Sequence, residues 1–132
     1  MEAAVHIDVL HVDGLHTYEA AKRDYENWVK HMTVSAGTRS RLAGVVLFHD
    51  CTIDDDSFGV GRFFNELRHP KAFFAHSAGL GVVAIDVGAT GGDGGLDALS
   101  SESEGAAARF IDELLVLFPS AKRGDIPRFW DI

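Results

Sequence analysis

Apolar residues follow two different rhythms along this chain. The opening run Val5-His6-Ile7-Asp8-Val9-Leu10-His11-Val12 is rich in β-branched residues and only partly alternating, the pattern of a strand covered on both faces. It ends at the turn signal Asp13-Gly14. From Thr17 the period changes: Tyr18, Ala21, Tyr25, Trp28, Val29 and Met32 recur in steps of three and four and predict one inward helix face. Thr17 suits the N-cap, Glu19 the first turn, and Lys30 and His31 the last. Residues 33–43 are polar and predict a loop.

Gly44-Val45-Val46-Leu47-Phe48 is a second continuous apolar run, again a buried strand by pattern, and it ends at His49-Asp50. A short helix is expected over 59–68 with Phe63, Phe64 and Leu67 inward, stopped by Pro70. Residues 72–76 and 81–86 read as two strands joined by a tight turn through Gly79, a hairpin. Residues 88–95, five of them glycine, read as a flexible linker. A last helix is expected over 102–118, with Ala106, Phe110, Leu114, Leu117 and Phe118 as its apolar stripe. That stripe reads as a packing face, with a partner-binding helix as the alternative.

Strand, helix, strand, helix and hairpin is an α/β plan, and its first two strands should be parallel neighbours. Composition agrees: 132 residues, 46% apolar and 24% charged, describe one globular domain with a core. No run of about 18 apolar residues is present to span a membrane. No charged-then-apolar leader marks a signal peptide. A net charge of -8 argues against nucleic-acid binding through the overall field. The single cysteine, Cys51, excludes an internal disulfide and a cysteine-built zinc site, and a cytoplasmic address follows as the default.

In α/β sheets ligands sit beyond the carboxyl ends of the strands. Here those ends carry Asp13 with His16, and His49 with Asp50. Asp13 could be a hard oxygen ligand for a cation, and His16, at a helix start, a general base near neutral pH. The plainer alternative makes Asp13 a turn residue and His16 a half-exposed helix leader. Asp50 could likewise be a second carboxylate ligand from the adjacent strand, or only the start of a turn. Asp54, Asp55 and Asp56 lack calcium-loop spacing and read as a solvated acidic loop. The glycines at 79 and 81 precede a strand rather than a helix, so a dinucleotide fingerprint is rejected there. His11, on a buried strand, reads as a hydrogen-bonded core residue. No cationic neighbour marks Cys51 as a reactive thiol.

The stretch Ile7 to Ala20, with Asp13-Gly14-Leu15-His16-Thr17-Tyr18-Glu19, resembles the fourth-strand region of class I S-adenosylmethionine-dependent methyltransferases. The subgroup it resembles is the small-molecule O-methyltransferase-like one often associated with glycosyltransferases. Gly44 to Asp50 is similar to the fifth strand of that fold. Phe58-Gly59-Val60, Arg62-Phe63-Phe64 and Glu66-Leu67 resemble the helix that follows, and Gly79-Leu80-Gly81-Val82 resembles the last hairpin. The resemblance covers residues 5–86 in order and extends more loosely through 102–118.

The resemblance implies an α/β fold: the C-terminal half of a Rossmann-like methyltransferase sheet, with two parallel strands, an antiparallel hairpin and flanking helices. It divides the chain into a partial Rossmann-like methyltransferase domain (1–87), a Gly-rich linker (88–101) and a C-terminal helix and tail (102–132). It implies methyl transfer from S-adenosylmethionine to a hydroxyl of a sugar or small metabolite. In the site it implies, Asp13 and Asp50 hold Mg2+ and Asp13 and His16 act on the acceptor. Cys51 stands where relatives commonly place a third ligand, and Gly61 where many carry a large aromatic. No residue matches the cofactor-binding positions, which belong to strands earlier in the fold. The expectation is therefore impaired activity, with a homodimer or a separate N-terminal half covering the open edge of the first strand. The alternative is a non-catalytic remnant or protein-interaction module that needs a partner chain.

Overall fold

A computed structural model describes residues 7–32, 42–53, 57–86 and 105–127. The elements are β1 (Val9–Val12), α1 (Tyr18–Val29) with a 3-10 turn (Lys30–Met32), β2 (Leu42–His49), α2 (Val60–Glu66), β3 (Lys71–Phe74), β4 (Leu80–Asp86), α3 (Ala106–Leu117) and β5 (Lys122–Arg123). The sheet runs β1-β2-β4-β3-β5. β1 and β2 are parallel, with Val9 opposite Val45 and Val12 opposite Phe48. The remaining pairs, β2 with β4, β4 with β3 and β3 with β5, are antiparallel. This is the expected α/β plan of two parallel strands plus a hairpin, consistent with part of a Rossmann-like methyltransferase sheet.

The continuous apolar runs are explained by layers on both faces. On one side, Val46 and Phe48 of β2 and Val83 and Ile85 of β4 pack with Tyr25, Val29 and Met32 from the α1 segment and with Phe63 and Phe64 of α2. On the other, Val45 and Leu47 of β2 and Val82 and Ala84 of β4 meet Ala107 and Ile111 of α3. Successive side chains of a strand point to opposite faces, so a strand between two helical layers must be apolar at nearly every position.

Thr17 caps α1 as predicted: its backbone is extended and its side chain accepts from the Ala20 N–H at 3.2 Å. The hairpin turn also falls where expected, with Gly79 at φ +87°, a conformation that glycine adopts without a Cβ penalty. Within the hairpin, Lys71 is buried on β3 and its ammonium donates to the carbonyls of Phe64, Asn65 and Leu67 at the end of α2. Asn65 in turn exchanges two hydrogen bonds with the backbone of Ile126, fixing the C-terminal segment to α2.

Several expectations need correction. Trp28 lies on the predicted inward face of α1 yet is 48% exposed. Among the described residues β1 pairs with β2 alone, so the sheet ends before it can cover the indole. Val9 is 59% exposed for the same reason, and His11 is an exposed residue of an edge strand rather than part of the core. The buried face of α3 is Ala107, Ala108 and Ile111, one position along from the predicted stripe, and Leu117 and Phe118 are exposed. The two-residue β5 carries too little pattern to be read in advance. The linker over 88–101, Asp54 to Asp56 and most of the 33–43 loop lie outside the described residues. No helix among the described residues is long and apolar enough to cross a membrane.

Candidate functional site

The site grows from the parallel register of β1 and β2. Because Val12 stands opposite Phe48, the next residues, Asp13 and His49, emerge side by side at the carboxyl end of the sheet. The His49 imidazole Nδ1 lies 3.3 Å from Asp13 Oδ1 and 3.0 Å from Asp50 Oδ1. From the start of α1, His16 Nε2 reaches Asp50 Oδ2 at 2.8 Å. The three predicted site residues, Asp13, His16 and Asp50, thus come together: one ligand-type atom from each lies within 4.8 Å of the other two.

Local backbone sets these directions. Asp50 has φ +59°, a left-handed conformation that Asp adopts more readily than most residues. Its N–H is held by the Gly79 carbonyl at 3.1 Å, tying the end of β2 to the hairpin turn. The His16 ring stacks on Phe58, with centroids 4.5 Å apart, while its carbonyl accepts from the Gly59 N–H at 2.6 Å. Gly59 is required by that closeness, since a Cβ there would lie 2.4 Å from the Tyr18 nitrogen. Below His16, Tyr18 hydrogen-bonds Glu66 while the Arg62 guanidinium lies over its ring at 4.3 Å, locking α1 to α2.

Asp50 is the most enclosed member, its side chain 15% exposed, whereas His16, Asp13 and His49 are a third to a half exposed. An ionised carboxylate only accepts, so in the contact with Asp50 the His16 Nε2 is the donor. Cys51 takes no part. It is buried, and burial pushes its thiol up to about 12, far from the range of a nucleophile or ligand. The residues that sequence reasoning left without roles are His49 and Phe58. His49 was legible in principle, because the last residue of one parallel strand faces the loop after its neighbour.

Mg2+ takes oxygen ligands in near-octahedral geometry, and here the third donor is an imidazole nitrogen, a poor fit. Beside the site, a half-open cleft of about 440 Å³ runs along β1, lined by Val9, Leu10, Asp13, Asp24 and Trp28 among others. Its carboxylates and indole suit a cationic group. Between β1 and α1, however, the turn holds one glycine, Gly14, rather than the glycine-rich cradle a nucleoside donor takes. No residue among those described is assigned to holding the donor.

Residues 2–51 match a family model described as a methyltransferase domain. That segment contains β1, α1 and β2 and includes Asp13, His16 and Asp50. The match supports methyl transfer in general and, with it, S-adenosylmethionine as the general methyl donor. The chain is also 37% identical over 79 residues to the uncharacterized protein y4gI of Sinorhizobium fredii, an alignment covering 58% of this chain and 8% of that protein. The chain therefore spans a small fraction of the curated relative it matches. No solved structure matches it.

Proposed function

We propose that this chain supplies the acceptor-activating part of a methyltransferase that moves a methyl group from S-adenosylmethionine to a hydroxyl of a sugar or other small metabolite in the cytoplasm. The observation that carries the reading is the His16–Asp50 pair at the carboxyl ends of two parallel strands. The donor, when bound, supplies an electrophilic methyl on a sulfonium. His16 Nδ1 would take the proton of the acceptor hydroxyl, leaving its oxygen able to accept the methyl group that a bound donor would supply. Asp50 holds the imidazole in the required tautomer and stabilises its cationic form. Phe58 fixes the ring plane and Asp13 lines the acceptor side.

A second reading is favoured by the edge of β1 that is unpaired among the described residues, where Val9 and Trp28 stand exposed around the 440 Å³ cleft. Unpaired strand edges recruit further strands. In this reading the donor-binding strands come from a second copy or a separate N-terminal half, and the isolated chain is inactive. Calorimetric titration of the purified chain with S-adenosylmethionine separates the two. Saturable heat with turnover that falls in His16→Gln and Asp50→Asn supports activity of the chain itself. No heat beyond dilution at millimolar donor retires it. A stable, cooperatively folding monomer in sedimentation would retire the partner requirement.

A further inference from the structure

The cleft along β1 has a chemistry of its own. β1 lines it with Val9 and Leu10, α1 with Asp24 and Trp28, and the turn between them with Asp13 and Gly14. Asp24 and Trp28 are four residues apart and so are neighbours on one face of α1. The indole is 48% exposed, and Asp24 packs so closely on the turn that a Cβ on Gly14 would lie 3.0 Å from its Oδ2. Among the described residues no Lys, Arg or His forms an ion pair with that carboxylate. A carboxylate beside an exposed aromatic face, with no cation of the chain on it, suits the ammonium group of a ligand. We propose that this cleft holds the protonated amine of the methyl acceptor, an amino sugar or amino alcohol, an assignment that rests on the methyl-transfer reading of the neighbouring cluster.

Asp13 joins the two places. It lines the cleft, and its carboxylate also lies within 4.8 Å of side-chain atoms of His16 and Asp50. A molecule anchored by its ammonium at Asp24 and Trp28 therefore extends past Asp13 toward the imidazole that takes the hydroxyl proton. At about 440 Å³ the cleft falls within the roughly 300–1,000 Å³ of small-ligand sites. Charge decides what enters: Asp13 and Asp24, in a chain of net charge -8, repel an anionic acceptor and hold a cationic one. Protonation also directs the chemistry. An ammonium nitrogen has no lone pair, so the hydroxyls are the nucleophiles that such an acceptor presents. S-adenosylmethionine is a cation too, but Gly14 alone in the turn between β1 and α1 makes no cradle for its nucleoside.

Heteronuclear NMR titration of the full chain, without methyl donor, tests the cleft by itself. Glucosamine is the probe, and N-acetylglucosamine, with the same ring and no charge, is its control. Glucosamine should shift the amides of Gly14 and Asp24 and the Trp28 indole N–H, and should bind about tenfold more tightly than the control. Asp24→Asn and Trp28→Leu should each weaken it about three- to fivefold. Glu113→Gln, which removes the same charge from an exposed position on α3, should leave binding unchanged. Equal affinity for the two sugars, or equal weakening by Glu113→Gln, would overturn the proposal. Displacement of glucosamine by an equal concentration of S-adenosylmethionine would give the cleft to the donor and overturn it as well. Should a variant fail to fold, the unaltered chain decides, because shifts confined to residues outside the cleft refute the site. Selective binding with no turnover by the wild type would refute the methyl-transfer reading and leave the ammonium preference of the cleft standing. Turnover of uncharged sugars with no such preference would refute the cleft assignment alone.

Discussion

Replacing Lys71 with methionine keeps the buried aliphatic stem and removes the ammonium. Its Nζ donates to the carbonyls of Phe64 at 2.9 Å, Leu67 at 2.8 Å and Asn65 at 3.2 Å, and pairs with Asp125 at 2.7 Å. These carbonyls are acceptors that the end of α2 cannot satisfy itself. Phe64 keeps one partner, the Leu67 N–H, and Asp125 is exposed enough for the ion pair to contribute under about 1 kcal/mol. Two part-buried carbonyls lose their donor, at about 1–3 kcal/mol each, and relief of the charge's desolvation offsets part of that. The expected net loss is about 2 kcal/mol, which for a domain of this size lowers Tm by about 6–12 °C. Burial also lowers the Lys71 pKa, so the unfolded chain binds more protons in the window just below the ordinary lysine value. The Lys71 contribution to stability therefore rises with pH there, and the gap between the wild type and Lys71→Met widens. Urea and thermal melts from neutral pH upward measure both effects. A Tm within two or three degrees of the wild type (~2–3 °C, about 0.5 kcal/mol), or a gap that narrows with pH, would refute this account of the α2 terminus.

Cys51 carries the opposite sign: its folded thiol is raised from 9.0 to about 12, so the unfolded chain loses the proton first and stability falls as pH climbs through that window. At pH 10 the loss is about 1.4 kcal/mol, and Cys51→Ala should lack that slope in urea melts at pH 7 and 10. Asp86 Oδ1 accepts from the Ala107 N–H at 2.8 Å and substitutes for the side-chain cap that Gly105 cannot provide. Asp86→Ala should cost about 1 kcal/mol and speed hydrogen exchange in the first turn of α3, and unchanged exchange at Ala107 would count against the cap.

Fold and site were legible to different depths, for physical reasons. β2 and β4 were readable because a strand between two helical layers needs apolar residues at almost every position, and Val45-Val46-Leu47-Phe48 and Val82-Val83-Ala84-Ile85 supply them. Period alone misplaced Trp28, because it reports which side of a helix faces the sheet but not where the sheet stops. The same limit turned His11 from a core residue into an edge residue.

The site followed from a longer chain of reasoning. Parallel pairing of β1 and β2 brings Asp13, His16 and Asp50 to one end of the sheet, and that pairing was inferred from element order alone. What element order could not convey was the turn at Asp50. With φ at +59° and its N–H held by Gly79, the residue keeps one carboxylate oxygen toward His16 and the other toward His49. That orientation depends on the hairpin, some thirty residues away in sequence. Any function this cluster serves is therefore built partly by the turn between β3 and β4, which holds Asp50 through its backbone.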